Sequence, residues 1–534
     1  MYKQKDVSNY KDLMCKYGLE PLTAKVLASF CYDDELIEQF INPLQKPIAD
    51  EKAFDKIGKA FEQFQKENRK IFIFGDYDAD GICATSIMVK ILNHYGFNLG
   101  ENLGYYIPNR LNEGYGLSVE KTLLAQQKGY DVIITVDNGV GACEALKKAR
   151  ELGMITVVTD HHIISEEVSC DYLLHPSILE KKNSYLCGCG IVYMLANYLG
   201  VADDCCKALA MIATIADVME LKGTNIPIIK EGLQCINKHK YLNVEYLSQM
   251  NFPVNEESIS FNIIPKINAV GRMSEKPVSD VNNLVRFFLS TNENEILRFS
   301  GLINQFNIDR QTITREQYGR IEQCFNDDLI QLICLDDLHV GLLGLYASRA
   351  ANQQVRICFI CTEKDGIIRG SGRSVGNIDI MELLKGFADK ALTLGGHAGA
   401  CGISFEKEKL DEFRQYLKEK QKDLVYDTDE YYISVNEDEL NQNAFGQLFS
   451  YRPFGQGRKL MPIKITLNGF DSYNMLKKDT QLKWRKNGYE IISFENKGYY
   501  HYLGKDKLTF IGDLKENIFR GNITYQIMVK EIIE

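Results

Sequence analysis

Three short stretches of this chain gather residues able to do chemistry. Asp76, Asp78 and Asp80 alternate through Asp76-Tyr77-Asp78-Ala79-Asp80-Gly81, Asp137 opens Asp137-Asn138-Gly139, and His161 and His162 follow Asp160. Carboxylates crowded onto one rim repel one another and take up protons unless cations neutralise them. Aspartate oxygens with one or two imidazoles suit Mn²⁺ and tolerate Mg²⁺, and no soft thiolate set stands beside them. Two such ions can lower the pKa of a shared water and clamp the attacking and leaving oxygens of an in-line displacement, without a covalent nucleophile. Other readings fit less well. A calcium loop starting at Asp76 needs a closing Glu where Ile87 stands. Neither Ser86 nor Ser118 lies in a GxSxG elbow, and a GxxxxGK[ST] phosphate loop is absent. Asp137-Asn138-Gly139 alone reads as a turn, and the histidine pair alone as a helix cap.

What raises these fragments above their separate meanings is their position. Ile71 to Phe74, Val132 to Val136 and Ile155 to Thr159 are short β-rich apolar runs, each followed by helical spacing. That alternation predicts a parallel α/β sheet, whose strand carboxyl ends face the ligand crevice. All three acidic stretches begin where one of these strands ends. The segment from Glu295 to Cys324 contains no Pro and predicts a long connector helix. A second α/β unit follows, with strands at Gln331 to Leu335, Val355 to Cys361 and Gly402 to Phe405 and helices near Ile378 to Lys385 and Lys407 to Lys418. After the charged stretch Lys418 to Asp429, alternating strands separated by Gly, Asn and Asp predict a small β-barrel. The expected fold is α/β: two α/β lobes joined by a long helix, then a C-terminal barrel. Expected domain limits are an N-terminal helical extension at 1–50, a catalytic domain at 51–290, the connector at 291–325, a substrate-binding domain at 326–425 and the barrel with its lead-in at 426–534.

A chain of 534 residues, 45% hydrophobic, exceeds one core and suggests three or four globular units. Its net charge of -10 excludes a uniformly basic surface but not a local basic track. From Arg452 to Glu534 there are 15 Lys plus Arg and 9 Asp plus Glu, a balance of 15 - 9 = +6, where phosphate-backbone binding is expected. Within that tail Trp484 stands among Lys483, Arg485 and Lys486, a candidate for base stacking, with Tyr473, Tyr489, Tyr499, Tyr500 and Tyr502 nearby. Ser371 and Arg373 in Gly370-Ser371-Gly372-Arg373-Ser374 suit a phosphate clamp. Gly395-Gly396-His397 reads as a turn entering a helix whose amides hold an anion near His397. Arg110 and Arg272 are further phosphate candidates. Fifteen cysteines without a second pair at zinc-finger spacing read as thiols of a reducing compartment. No run approaches the ~20 apolar residues of a membrane helix, and a cytoplasmic location with no membrane association is expected.

Asp76 to Gly81, Asp160-His161-His162, and Gly395-Gly396-His397 with Ala400 and Gly402 resemble the motifs of the DHH/DHHA1 phosphoesterase superfamily, in particular its single-stranded-DNA exonucleases. Further segments fall in the expected order, including Glu113 to Leu117, Leu186 to Gly190, Ala216-Asp217-Val218 and Gly271-Arg272-Met273. The resemblance implies lobes of DHH and DHHA1 type, an oligonucleotide-binding barrel, and a two-metal phosphodiesterase using Mn²⁺ or Mg²⁺. It implies 5′→3′ cleavage of single-stranded DNA to 5′-mononucleotides in DNA repair and recombination. It assigns metal binding to Asp78, Asp80, Asp137, His161 and Asp217, with Asp137 as the bridge, and catalysis to Asp137, His161 and His162. Asp76 and Asp160 become the supporting layer, and His162 contacts the scissile phosphate or leaving oxygen. Expected partners are single-stranded DNA, a single-strand-binding protein and a helicase; the expected state is a monomer. Three positions depart from the family pattern: Ile226, Lys266 and Arg458. Two alternatives remain, a phosphodiesterase of short oligonucleotides or cyclic dinucleotides, and an inactive single-strand-binding scaffold.

Overall fold

The computed structural model describes residues 2–30, 33–48, 52–110, 113–250, 253–273, 280–427, 429–476, 481–494, 499–519 and 521–533. Its first sheet has five parallel strands in the order Leu103–Tyr106, Ile71–Gly75, Val132–Val136, Ile155–Thr159, Tyr172–Leu174. Residues alternate between two buried faces. Ile71, Ile73, Val132, Ile134 and Val157 pack under the helices Ala79–His94, Gly188–Tyr198 and Asp204–Ala216. Phe74, Ile133 and Val158 pack against Ala145, Leu146 and Ala149 of the helix Cys143–Glu151. Burial on both sides explains why these strands read as continuous apolar runs. The chain crosses to one side after Ile71–Gly75 and to the other after Val132–Val136, so the topological switch lies between these two strands. Asp76 and Asp137 follow them directly.

The connector Glu293–Glu322 is a single helix begun by Asn292, whose side chain accepts from the Glu295 amide. The second lobe has its own sheet, ordered Thr393–His397, Ala400–Glu406, Ile367–Arg373, Ile357–Lys364, Ile330–Cys334; only the last two strands pair in parallel. The two lobes therefore do not share a sheet.

The C-terminal region is an eight-stranded sheet, with Tyr2–Gln4 at one end of its strand order and Ser472–Leu476 at the other. The N-terminal strand Tyr2–Gln4 pairs in parallel with Glu430–Ser434, so the first and last parts of the chain form one structure. Leu22 and Val26, on the helix Pro21–Ser29, are fully buried in the C-terminal core. Each such burial stabilises the docking by about 1.5–3 kcal/mol. Between them Lys25 donates to the Ser434 carbonyl at 3.0 Å and to Glu439 at 2.5 Å. Among the described residues no helix is long and apolar enough to cross a membrane.

Candidate functional site

The rim at the switch point is assembled from four directions. Asp78 caps the helix Ala79–His94, its Oδ1 accepting from the Asp80 amide at 2.9 Å and the Gly81 amide at 3.2 Å. Asp80 faces the opening of the helix Gly188–Tyr198, where the Gly188 and Cys189 amides, each at 2.8 Å, donate to its two oxygens. Two charge-assisted bonds at a helix N-terminus fix that carboxylate. Gly188 is required by space, since a Cβ there would stand 2.6 Å from the Asp137 side chain.

Asp137 has φ 60°, in the left-handed region, where its amide donates to the Thr159 carbonyl at 2.9 Å. Asp and Asn tolerate that conformation better than most residues, which accounts for a short polar side chain at this strand end. Asp217 ends the helix Asp204–Ala216 and is followed by Val218 at φ 52°, a strained conformation for a β-branched residue, with the Val218 side chain in solvent. Asp160 accepts from the amides of Val140, His161 and His162 and from His162 Nδ1 at 2.8 Å.

These elements bring His161 Nε2 to 3.3 Å from Asp137 Oδ1, 3.5 Å from Asp217 Oδ2 and 3.8 Å from Asp80 Oδ2. Three sets of potential metal ligands result, each with its atoms within 4.8 Å of one another: Asp137, His161 and His162; Asp80, His161 and Asp217; Asp76, Asp78 and Asp137. Asp137 and His161 each belong to two sets. Asp76 Oδ1 and Asp137 Oδ1 are buried without a hydrogen-bond partner. Burial and the neighbouring carboxylates push Asp76, Asp78 and Asp137 upward and Asp217 to about 8. Burial pushes His161 down, leaving a neutral imidazole free to ligate. For His162 burial acts the same way, but the Asp160 hydrogen bond and charge outweigh it and raise its pKa. Orphaned oxygens and carboxylates reluctant to ionise together fit divalent cations. Cys187 and Cys189 lie beneath the rim; burial raises both thiols and keeps them neutral. The donor set is therefore oxygen and imidazole.

Opposite the acids lies a group of guanidiniums. Arg272, at the end of the helix Ile264–Arg272, donates to the Gly341 carbonyl at 3.4 Å. Burial, with Arg110, Arg310 and Arg373 nearby, disfavours its charge, yet it stays a cation because arginine does not deprotonate in proteins. Ser371 Oγ and Arg373 Nη2 both come within 4 Å of the Cβ position of Gly344, in the first turn of the helix Leu343–Gln354. Ser371 Oγ donates to the Cys401 carbonyl at 3.2 Å. Among the described residues Arg373 Nε has no partner.

Several expectations need correction. Gly395-Gly396-His397 does not enter a helix; it ends the strand Thr393–His397 and turns directly into Ala400–Glu406. His397 is exposed, and its Nδ1 accepts from the Gly399 amide in its own turn. Trp484 is fully buried against Phe470 and Phe510, so it is a core residue and not a stacking platform. Tyr489 is buried as well, Tyr473 is exposed, and the side chains of Tyr499 and Tyr500 lie outside the described residues. Lys266 is buried and donates to the Leu247 and Ser248 carbonyls at the end of the helix Leu242–Ser248, so it serves as a helix cap. Ile226 is core, and Arg458 is buried 3.8 Å from the Phe40 ring, tying the N-terminal helices to the C-terminal region.

Two residues beside the site were not singled out by the sequence. Arg310 sits mid-connector, its Nη2 donating to Asn307 Oδ1 at 2.7 Å and its buried Nε unpartnered. Only the helical spacing of the polar residues Asn304, Asn307, Arg310 and Thr314 marked that face. The other is Tyr115, whose hydroxyl reaches the rim.

Residues 70–221 match the family model for the DHH family, N-terminal domain, and residues 327–423 match that for the DHHA1 domain. The chain is 28% identical over 481 residues to the single-stranded-DNA-specific exonuclease RecJ of Bacillus subtilis, covering 84% of this chain and 59% of that protein. It thus spans less than two thirds of that relative's length. It is 27% identical over 556 residues to RecJ of Haemophilus influenzae, covering 93% of each. The crystal structure of RecJ in complex with Mn2+ from Thermus thermophilus matches with a TM-score of 0.82 at 21% identity, over 99% of this chain and 78% of that one. At that identity the likeness is one of fold.

Proposed function

Because this chain is RecJ-like and carries both DHH and DHHA1 domains, we propose that it is a metal-dependent 5′→3′ exonuclease of single-stranded DNA. The observation that carries the reading is the pair of orphaned, buried oxygens on Asp76 and Asp137 inside ligand sets that share Asp137 and His161. Asp137, which belongs to two of the sets, would hold both ions; Asp78, Asp80, His161 and Asp217 would complete the donors, with Asp76 close enough to join them. Two divalent cations, Mn²⁺ or Mg²⁺, when bound, activate a water and stabilise the leaving oxygen. The chain's own contribution is to hold this geometry. The amides at Gly188 and Cys189 fix Asp80, and the hydrogen bond to Asp160 orients the His162 ring toward a phosphate oxygen. Arg272, Arg373 and Arg110 carry no carboxylate partner among the described residues and offer charge to the strand. The products are 5′-mononucleotides. Its partner is single-stranded DNA.

The test is a digestion series with Mn²⁺ and with Mg²⁺, using DNA and RNA single strands blocked at the 5′ or the 3′ end. Stepwise release of 5′-mononucleotides from 3′-blocked but not 5′-blocked DNA is expected. Cleavage confined to cyclic dinucleotides or strands of a few residues would replace the reading with the short-substrate alternative. Binding without hydrolysis under any metal would replace it with the scaffold.

A further inference from the structure

Tyr115 belongs to no strand or helix, and its side chain is 51% exposed, yet its hydroxyl is engaged at the centre of the rim. The hydroxyl donates toward the Asp137 carbonyl at 3.2 Å and lies 3.2 Å from His162 Nδ1 and 3.4 Å from Nε2. With the Asp137 amide already bound to the Thr159 carbonyl, both backbone polar groups of this left-handed residue are held. The ring stands edge-on to His162, centroids 5.6 Å apart at 68°, and edge-on to Tyr77 at 6.4 Å and 80°. Tyr77 in turn carries the Arg110 guanidinium 5.0 Å from its centroid. Arg110, Tyr77 and Tyr115 therefore make a continuous cation-and-aromatic edge from solvent to His162. Fixed at its hydroxyl and along its edge, the exposed ring loses little further freedom when a flat group stacks on it.

We propose that Tyr115 is a positioning residue that braces Asp137 and His162 through its hydroxyl while its exposed ring receives the base or sugar of the nucleotide next to the metals. This rests on the reading of the site as a single-strand phosphodiesterase. The two parts of the side chain act on different constants. The hydroxyl sets the geometry of reacting groups and is read in kcat; the ring contributes uniform binding and is read in KM.

The test compares Tyr115→Phe and Tyr115→Leu with the wild-type chain on a 3′-blocked DNA strand at saturating Mn²⁺. Y115F is expected to lose roughly tenfold in kcat, as small misplacements near reacting atoms do, with KM within about twofold. Y115L is expected to lose the same kcat and also to raise KM at least about fivefold, the scale of one base–aromatic stack. A Y115F protein with wild-type kcat overturns the brace, and a Y115L protein with the KM of Y115F overturns the platform. Failure of the wild-type chain to cut any strand counts against the phosphodiesterase reading alone, because two readouts do not need turnover. The ¹³Cε1 resonance of His162, in Mg²⁺-loaded protein, should shift or broaden in Y115F; an unchanged signal overturns the brace. Binding of a fluorescent single strand should weaken in Y115L and not in Y115F; equal affinity overturns the platform.

Discussion

The cations of the cleft and those of the C-terminal sheet have opposite surroundings. In the cleft, Arg272, Arg310 and Arg373 are partly buried and none has a carboxylate partner among the described residues. In the C-terminal sheet, Lys483 and Arg485 both pair with Glu490, Lys486 with Glu437, Lys515 with Glu257, and Lys530 with Asp513. Arg452 is held between Glu256 and Glu516, at 2.7 and 3.1 Å. Six of the fifteen cations of that segment, Arg452, Lys483, Arg485, Lys486, Lys515 and Lys530, are thus engaged by carboxylates. A charge count says how much positive charge a segment carries; only its neighbours say whether that charge is available. An unpaired, desolvated guanidinium gains most from a phosphate, whereas a paired lysine must first give up a carboxylate.

The contrast can be broken most decisively at the acids that face the guanidiniums. Asp137→Asn keeps the size, the amide bond to Thr159 and a residue suited to positive φ, so the variant should fold normally. Turnover should fall at least ~10²-fold, as for loss of a strong transition-state stabiliser, while strand binding through the guanidiniums persists. Single-turnover cleavage with calorimetric metal titration is the measurement; activity within about threefold of wild type with two ions bound would remove Asp137 as the bridge. Losing one of several buried like charges should also make metal-free D137N more heat-stable than the wild type at neutral pH.

A second effect concerns pH and metal together. Asp76, Asp78, Asp137 and Asp217 all have folded-state values raised above the unfolded ones, Asp217 to about 8. Such groups contribute stability that is complete below the unfolded carboxylate range, near pH 4, and is lost as pH rises through the folded values. Metal-free protein should therefore lose Tm from pH 5 to 9, and Mn²⁺ should restore more of it at pH 8.5 than at pH 6. At one hundred times Kd the ion adds about 2.7 kcal/mol. A Tm increment from Mn²⁺ that is constant over this range would sink the electrostatic account of the rim.

The smallest effects sharpen the comparison directly. Arg373→Ala should weaken single-strand binding roughly tenfold and lower the salt slope by about one. Glu490→Gln, which releases Lys483 and Arg485, should instead strengthen binding by no more than about threefold and steepen the slope. Fluorescence anisotropy across a salt series reads both. If R373A is silent and a Lys483→Ala variant costs tenfold, the sheet carries the strand and the contrast is reversed.

Much of this molecule was legible before any coordinate. The apolar runs 71–74, 132–136 and 155–159 recur as strands with the last two at unchanged limits, because a strand buried on both faces is filled mostly by β-branched and other apolar residues. The acids after them follow from that, since strand ends of a parallel sheet share one rim. The connector was legible because the Pro-free stretch Glu295 to Cys324 admits an unbroken helix, and the structure places that helix at Glu293–Glu322 with Asn292 as its cap. Tertiary structure alone decided the rest. A window around Trp484 shows cations and an aromatic, and nothing in it says that the ring turns into a core shared with Phe470 and Phe510. The pairing of Tyr2–Gln4 with Glu430–Ser434 joins segments more than four hundred residues apart. Tyr115 reaches Asp137 and His162 across 22 and 47 residues, and Lys515 finds Glu257 across 258. Periodicity reports which face of an element is buried, but which group meets another is set by the packing of whole elements, and that contact carries no signal in either segment alone.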